Sequence, residues 1–311
     1  MLEIRNVSVI YDPKTIFKKE ALINVSLKIG YGELISIVGK IGSGKSTLIQ
    51  LFNGLIKPDQ GNVFLNGIDI NEGNVPRKEI IKKIGIVFQY PEEQFFAETV
   101  FDEIAFGPRN LGQNDVKVKE SVLYSLETMG FNVSEIIERS PFHLSGGEKR
   151  RIAIASVLAM RPDVIVLDEP AAGMDYEGKM SIVTQVRKQI EKGMTVVFVT
   201  HDMDEAFYLS DRLIALDKGY VVFDGPSKDF FQNEPLVNKI GLEIPFTISF
   251  RKKLLKCFPD IPFSKDIDSL IEFLSVRLSH WTGRISSDNI SILILFCIHL
   301  TQELKYLVSF I

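Results

Sequence analysis

One short segment near the start of the chain constrains the fold more than any other feature. Gly39 to Thr47 (GKIGSGKST) fits the pattern Gly-x-x-x-x-Gly-Lys-[Ser/Thr], and it lies between an apolar run and a helical one. Glycine lets a backbone turn tightly and approach an anion closely, and the free N–H groups that open a helix then face that anion. The segment therefore predicts a phosphate-binding loop between a strand and a helix.

The loop as a whole is the predicted ATP site. Lys45 adds a point charge at the β- and γ-phosphates, and Ser46 offers its hydroxyl to Mg²⁺. The predicted ATP-binding residues of the loop are Gly39, Lys40, Ile41, Gly42, Ser43, Gly44, Lys45, Ser46 and Thr47. A glycine-rich turn that binds nothing is the alternative, and the strand–loop–helix context argues against it.

A pair of acids ends a second apolar run. Asp168 and Glu169 directly follow Val164–Leu167, which has the composition of a buried strand. Open α/β sheets bind ligands at the carboxyl ends of their strands. We therefore expect Asp168 to hold Mg²⁺ through water and Glu169 to act on the attacking water as a general base. Two acids at a strand end are a weak signal alone, and the loop upstream strengthens it.

Strand and helix patterns alternate along most of the chain, which favours a mostly parallel sheet covered on both faces. Asn66-Gly67 indicates a hairpin. The predicted strands are 2–9, 23–29, 34–38, 61–65, 84–88, 164–167, 195–199 and 213–216; the predicted helices are 47–52, 98–129 with an interruption near Gly107-Pro108, 176–191 and 204–209.

Composition limits the partners and the compartment. A chain of 311 residues suggests two domains or one large domain with an appendix, and its net charge of −4 gives no reason to expect nucleic acid as a partner. Cys257 and Cys297 have neither metal-ligand nor disulfide-framework spacing, so we expect a reducing cytosol. The apolar run from Ile290 to Ile311 is a buried or amphipathic helix or, less in keeping with its short unbroken core, a membrane span.

A third motif, Leu144 to Arg151 (LSGGEKRR), lies just upstream of the strand that ends in acids. Ser145 is a good N-cap, and the glycines that follow it expose backbone N–H groups, so the motif predicts a second helix terminus that can face an anion. A capped helix with a basic first turn is the plain alternative.

Together these motifs resemble the nucleotide-binding subunits of ABC transporters, over Met1 to about Phe231. The resemblance implies an α/β fold of the P-loop NTPase type, with a RecA-like parallel sheet core, an antiparallel β subdomain and an α-helical subdomain at about 90–160. It also implies that two subunits dock head to tail, so that each signature motif contacts ATP held by the other subunit. The signature residues here are Ser145, Gly146 and Gly147.

The same resemblance assigns four further residues. Tyr11 matches the aromatic residue that stacks on adenine, Gln89 the sensor of the γ-phosphate and Mg²⁺, Asp175 the loop that crosses the dimer interface, and His201 the switch histidine. Three positions depart from the family pattern: Glu148 replaces the usual Gln of the signature, Ala171 a common hydroxyl residue and Met174 a common Leu. None removes a phosphate ligand, so we expect them to tune activity rather than abolish it.

Longer stretches resemble one branch of the family, the energy-coupling factor (ECF) transporters, and in particular the second of their two ATPases. They are Tyr11–Leu22 (YDPKTIFKKEAL), Gln89–Val100 (QYPEEQFFAETV), Phe106-Gly107-Pro108 and Arg139–Leu144 (RSPFHL). The resemblance implies ATP and Mg²⁺ as cofactors and a location at the cytoplasmic face of the membrane. The implied partners are a second related ATPase in a head-to-tail heterodimer, a transmembrane coupling protein and a substrate-binding membrane component that takes a vitamin or metal ion.

The predicted domains are an ATPase domain at 1–235 and a C-terminal accessory and dimerisation region at 236–311, in which 282–311 match no known pattern. Within Gln89–Val100, Tyr90, Phe95, Phe96 and Val100 either contact the coupling protein or fill the core of the helical subdomain, and Glu92 and Glu93 are expected to be surface charges. Two other functions remain open: the ATPase of a different transporter, and an ABC ATPase that acts on ribosomes or DNA. The second should show paired cassettes, a coiled-coil insertion or a basic face, and none is visible.

Overall fold

The structure, a computed structural model, describes residues 2–72, 75–174, 176–255, 258–265 and 267–281. The chain forms two compact units, Met1–Ile244 and Pro245–Ile311. Asp175, to which the resemblance assigns a place in the interface loop, and residues 282–311, which match no known pattern, lie outside the described residues. The domain boundary at 235/236 stays a prediction, since compactness alone does not define a functional domain.

Strands and helices alternate through the first unit. In the described part of the second unit, all of the regular secondary structure is helical. The strands are β1 Leu2–Tyr11, β2 Lys19–Ile29, β3 Leu34–Val38, β4 Gln60–Leu65, β5 Ile68–Asp69, β6 Ile84–Val87, β7 Val164–Asp168, β8 Thr195–Val199, β9 Arg212–Asp217 and β10 Tyr220–Pro226. The helices are α1 Lys45–Phe52, α2 Arg77–Lys83, α3 Val100–Asn110, α4 Asp115–Thr128, α5 Val133–Ile136, α6 Gly146–Leu158, α7 Tyr176–Glu191, α8 Met203–Leu209, α9 Ser227–Gln232, α10 Glu234–Lys239, α11 Phe246–Leu254 and α12 Ile267–Trp281.

A six-stranded sheet in the order β10-β9-β3-β8-β7-β6 forms the centre of the first unit. All of its strands are parallel except β10, which pairs with β9 as an antiparallel edge. Alternate residues of β7 enter two different cores: Val164 and Val166 pack with the antiparallel sheet, and Ile165 and Leu167 pack with the helices. A sheet buried on both faces requires such continuous apolar strands. The prediction of a mostly parallel, doubly covered sheet is confirmed.

A four-stranded antiparallel sheet, β2-β1-β4-β5, covers one face, with α1 packed into the same core. Its β4–β5 hairpin turns at Asn66-Gly67, where both residues have positive φ (53° and 80°). This is the two-residue turn that an Asn-Gly pair favours. The hairpin prediction is therefore confirmed.

Helices α3, α4 and α6 pack together and against the other face of the sheet. The predicted interruption near Gly107-Pro108 exists but lies a few residues later, because α3 continues through Pro108 to Asn110 and the helical run is interrupted at 111–114, before α4. Pro108 lies in the last turn, where a missing N–H costs a single helical hydrogen bond. Gly107 lets the Met160 side chain approach α3 closely, since a Cβ on it would lie 2.9 Å from Cγ of Met160.

The second unit has a small core of its own between α11 and α12, formed by Phe250, Leu254, Ile261, Leu270 and Leu274. Arg251 donates to the carbonyl oxygens of Ile261 and Pro262 and so holds the connecting segment against α11. In the part of the chain that the structure describes, no helix has both the length and the apolar character needed to cross a membrane.

Candidate nucleotide site

The glycine-rich loop joins the end of β3 to the start of α1, as predicted from the sequence. Gly39, Gly42 and Gly44 all have positive φ, and Gly44 is the N-cap of α1. A Cβ on Gly44 would lie 2.5 Å from the carbonyl oxygen of Ala21, whereas a Cβ on Gly42 would meet nothing within 4 Å. The loop is therefore packed against β2 at Gly44 and open at Gly42, which leaves its N–H groups accessible to an anion.

Lys45 holds the loop closed. Its Nζ donates to the carbonyl oxygens of Gly39, at 2.6 Å, and Lys40, at 3.1 Å. Burial lowers the pKa of Lys45, and the charges of Glu169 and Asp168 act in the opposite direction. The ammonium group is thus already positioned at the loop, in surroundings that contain too little water to screen its charge well.

Three of the predicted residues, Gln89, Glu169 and His201, lie together at the carboxyl ends of neighbouring parallel strands. The Glu169 carboxylate makes a 2.9 Å contact with each of the other two. Gln89 Nε2 donates to Oε2 of Glu169, and Nδ1 of His201 lies at the same distance from Oε1. Gln89 follows β6, Glu169 follows β7 and His201 follows β8, so the sheet order itself brings them together. Both oxygens of the Glu169 carboxylate are thereby oriented.

The backbone of Glu169 is unusual. Its φ of 48° is a left-handed conformation that costs a non-glycine residue on the order of 1–3 kcal/mol. Its N–H donates to the carbonyl oxygen of Val199 at 2.8 Å, which fixes this conformation against β8. Strain of this kind is commonly retained where a side chain must be aimed at a reacting group.

Asp168 ends β7 and is half-buried. Burial, with a further contribution from Glu169, raises the pKa of Asp168 to about 6, and Lys45 acts against this shift. Two adjacent carboxylates near one cation leave local negative charge that a divalent ion would neutralise. No group of three or more His, Cys, Asp or Glu side chains that could hold a metal occurs among the described residues. The donors predicted for Mg²⁺ are the Ser46 hydroxyl, the Gln89 amide oxygen and the Asp168 carboxylate, hard oxygen ligands that fit an ion held largely by nucleotide phosphates.

Tyr11 lies at the end of β1, and its hydroxyl lies 3.3 Å from Oγ1 of Thr47 in α1. The ring is therefore anchored beside the glycine-rich loop while 40% of the residue remains exposed. The next residues form a turn in which Thr15 N–H donates to the carbonyl oxygen of Asp12. An exposed aromatic ring at this position can stack on a base.

The signature motif begins α6 in the way its sequence predicts. The Ser145 hydroxyl accepts from the N–H of Glu148, and the Glu148 carboxylate accepts from the N–H of Ser145 at 2.8 Å, which completes a capping box. These hydrogen bonds from Ser145, the backbone one first, lower the pKa of Glu148. Gly146 has open space around it, so its backbone can be approached from outside. The substituted Glu148 thus stabilises the cap that presents the two glycines.

Two contacts could not be expected from the motifs. The Lys40 side chain lies against Gly241, just beyond α10, and no pattern links residues so far apart in sequence. The prediction that Glu92 is a surface charge is wrong. Its Oε1 accepts from Nη2 of Arg150 at 3.2 Å, and Arg150 is buried. Only Glu93 of that pair is exposed.

Fold and site together define a P-loop nucleotide-hydrolysing enzyme. The family model described as ABC transporter matches residues 22–172. The energy-coupling factor transporter ATP-binding protein EcfA2 of Caldanaerobacter subterraneus subsp. tengcongensis is 43% identical over 84% of this chain and 91% of its own length. EcfA2 of Clostridium perfringens is 44% identical over 78% of this chain and 86% of its own length. The chain therefore belongs to the ABC transporter ATPases, in the branch of the energy-coupling factor ATP-binding proteins.

Solved structures agree with this assignment. The protein cbiO1 from Clostridium perfringens, part of the ABC transporter complex cbiONQ, is 30% identical with a TM-score of 0.68, over 81% of this chain and 98% of its own. The ATP-binding cassette MJ0796, in a dimeric post-hydrolysis state bound to ADP and Pi, is 31% identical with a TM-score of 0.65, over 73% of this chain and 99% of its own. The predicted fold class is thereby confirmed.

Proposed function

We propose that this chain is the ATP-hydrolysing subunit of an energy-coupling factor importer, and that it works at the cytoplasmic face of the cell membrane. It would power the uptake of a micronutrient, a vitamin or a transition-metal ion, that a separate membrane component binds. One observation supports ATP hydrolysis most directly: Gln89 and His201 hold the carboxylate of Glu169 at the open edge of the sheet.

Each residue of the site has a defined task in this proposal. Lys45 and the N–H groups of the glycine-rich loop bind the phosphates, and Tyr11 stacks on the base. Glu169 orients the attacking water and accepts its proton as a general base. Gln89 and His201 keep that carboxylate directed at the γ-phosphate. Their two contacts with the carboxylate oxygens offset part of its negative charge and so limit its repulsion from ATP.

Mg²⁺ completes the site in the proposal. Ser46, Gln89 and Asp168 would hold it, with Asp168 acting through water. When bound, the ion neutralises charge that develops on the transferred phosphoryl group. The half-buried Asp168, whose pKa is raised to about 6, is the group that would gain most from a neighbouring cation.

In this proposal the signature residues act at the ATP site of the partner ATPase rather than at the site of their own chain. Ser145, Gly146 and Gly147 would contact the γ-phosphate of ATP held by a related ATPase, docked head to tail, with Asp175 in the loop between the two subunits. The capped and open start of α6 supports this, because its N–H groups can receive an anion from outside. Gly146→Asp places a carboxylate at that point, so it should block closure and hydrolysis while ATP still binds the variant's own loop. A variant chain that pairs normally but no longer binds ATP would contradict the assignment.

An apolar groove beside Gln89 is the proposed contact with the transmembrane coupling protein. It encloses ≈ 590 Å³ between Gln94–Phe96, α3 and α6. Phe96 and Phe106 stack edge to face across its rim, 4.8 Å between ring centres, although both are exposed. The N–H groups of Phe96 and Ala97 donate to Glu103, which holds the segment in place. The two alternatives for the aromatic residues apply to different side chains. Phe95 is half-buried against the helical core, and Phe96 is exposed and could contact a partner.

Co-purification and uptake test the proposal as a whole. The tagged chain, extracted with its partners in mild detergent, should retain a second related ATPase, a multispanning protein and a small membrane protein that binds the micronutrient. Reconstituted in vesicles, the wild-type complex should drive uptake with ATP, and Lys45→Ala should abolish it without loss of assembly. Recovery of the chain with ribosomes or DNA, and without membrane proteins, would overturn the proposal.

A further inference from the structure

The guanidinium group of Arg150 joins three segments that carry different parts of the site. Arg150 lies on α6, just after the signature glycines, and only 3% of it is exposed. Its Nη2 donates to Oε1 of Glu92 at 3.2 Å and to the carbonyl oxygen of Ala172 at 3.5 Å. Its Cζ also lies 5.5 Å from the centre of the Tyr90 ring. One side chain therefore connects the signature helix, the segment after Gln89 and the loop after Glu169.

The backbone continues each contact into the site. Tyr90 is bonded directly to Gln89, and its φ of 53° sets the direction in which the chain leaves that residue. The N–H of Ala172 donates to the carbonyl oxygen of Glu169 at 3.2 Å. A second contact joins the signature to the same loop, since Cε of Met174 lies 3.5 Å from the position of a Cβ on Gly147. A displacement of any one segment must therefore be accommodated by the other two.

The ion pair between Arg150 and Glu92 is only half formed. Guanidinium and carboxylate groups can pair through two parallel hydrogen bonds, and here one is made. Among the described residues, the buried Nη1 of Arg150 and Oε2 of Glu92 have no hydrogen-bond partner. A second hydrogen bond between these two atoms would complete the two-point pair. A pair with one bond made and one open has the donors and acceptors for a second arrangement, and an element with two arrangements can transmit a change between sites.

We propose that Arg150 is a positioning residue that transmits the occupancy of this chain's own ATP site to the signature that serves the partner's ATP site. The inference rests on the proposed function, in which Gln89 senses ATP in one site and Ser145–Gly147 complete the other. Movement of Gln89 on binding ATP shifts Glu92, the Arg150 pair takes its second arrangement, and the start of α6 is reoriented toward the partner. Coupling of this kind appears as cooperativity between the two sites.

The test measures the ATP dependence of hydrolysis by the assembled complex. The wild-type complex should show a Hill coefficient clearly above 1, since two coupled sites allow values up to about 2. Arg150→Lys keeps the charge beside Glu92 but loses the fork that also reaches Ala172, so the Hill coefficient should fall to about 1. The affinity of the free full-length chain for ATP should change less than about twofold, because Arg150 does not contact the glycine-rich loop.

A paired substitution separates this role from a purely structural one. Arg150→Met alone leaves the Glu92 charge without its partner and should lower the melting temperature, whereas Arg150→Met combined with Glu92→Gln removes both charges and should restore it. Recovery of the melting temperature with a Hill coefficient still near 1 supports the inference. The inference would be overturned if the double variant recovered both the melting temperature and the Hill coefficient. It would also be overturned by an unchanged Hill coefficient in Arg150→Lys, or by a Hill coefficient of about 1 in the wild-type complex.

A matched control and a separate readout complete the design. Arg151→Met removes a guanidinium from the same turn of α6, but that group contacts the Met129 carbonyl and the Phe131 ring within the helical region. Its Hill coefficient should remain that of the wild type, and a fall to the Arg150→Lys value would overturn the specific role of Arg150. The in-trans arrangement is tested independently by Gly146→Asp, so failure of the proposed function is recognised whatever Arg150 does.

Discussion

Gly44→Ala should destabilise the protein strongly, because its closest new contact is with the main chain and no side-chain movement can relieve it. Gly44 has a φ of 110°, and a Cβ there would lie 2.5 Å from the carbonyl oxygen of Ala21 and 2.8 Å from Cδ2 of Leu22. The backbone conformation costs about 1–2 kcal/mol for a residue with a Cβ, and overpacking against the main chain of β2 adds about 1–3 kcal/mol. We expect a loss of about 2–5 kcal/mol in the free energy of unfolding, measured from urea titrations followed by circular dichroism.

Gly42→Ala is the matched control for this prediction. Gly42 has a φ of 80°, but a Cβ there meets no atom within 4 Å, so the loss in stability should be limited to about 1–2 kcal/mol. The same Cβ projects into the open side of the loop, where the phosphates should approach. Loss of one charge-assisted hydrogen bond should weaken ATP binding about 10- to 100-fold. Equal stability of the two variants would refute the packing argument, and wild-type ATP affinity in Gly42→Ala would refute the direction of phosphate approach.

Three further predictions concern residues around the site. Tyr11→Ala should weaken ATP binding by about 1–3 kcal/mol in a titration with a fluorescent nucleotide, whereas Tyr11→Phe, which loses only the contact with Thr47, should bind almost normally. Phe96→Ser should keep the melting temperature of the free chain, because Phe96 is 59% exposed, yet reduce the yield of complex in a pull-down with the membrane partner. Because hydrogen bonds from Ser145 lower the pKa of Glu148, its charged form stabilises the fold above its unfolded pKa of ~4.3, and that contribution is lost as the pH falls through the lower folded value. The urea midpoint of Glu148→Gln should therefore lie below that of the wild type at pH 7 and approach it near pH ~3.

The local sequence determined the parts of the site that depend on short-range rules. The glycine-rich loop, the strand that ends in Asp168 and the capped start of α6 all lie where the pattern placed them, because each is set by backbone conformation over a few neighbouring residues. The meeting of Gln89, Glu169 and His201 needed the order of the strands in the sheet. The resemblance to a known family assigned each of these residues a role, but no local pattern contains the strand order that brings them together.

Two expectations differ from the structure for different reasons. The helical run is interrupted at 111–114 rather than at Pro108, because a proline in the last turn of a helix costs a single hydrogen bond. Glu92 was expected to lie at the surface, but its carboxylate pairs with the buried Arg150. A single sequence contains no signal for a contact between residues separated by more than fifty positions.

The role of Glu169 as the general base is tested most directly by measuring ATP turnover in the assembled complex with Glu169→Gln. The substitution keeps the size of the side chain and one of the two acceptor oxygens that Gln89 and His201 contact, and it removes the base. ATP should still bind with wild-type affinity, and hydrolysis should slow by ~10²-fold or more, the usual contribution of a general base. Near-normal turnover in this variant would contradict the role of Glu169 as the base, because its oriented carboxylate would then have no part in the reaction.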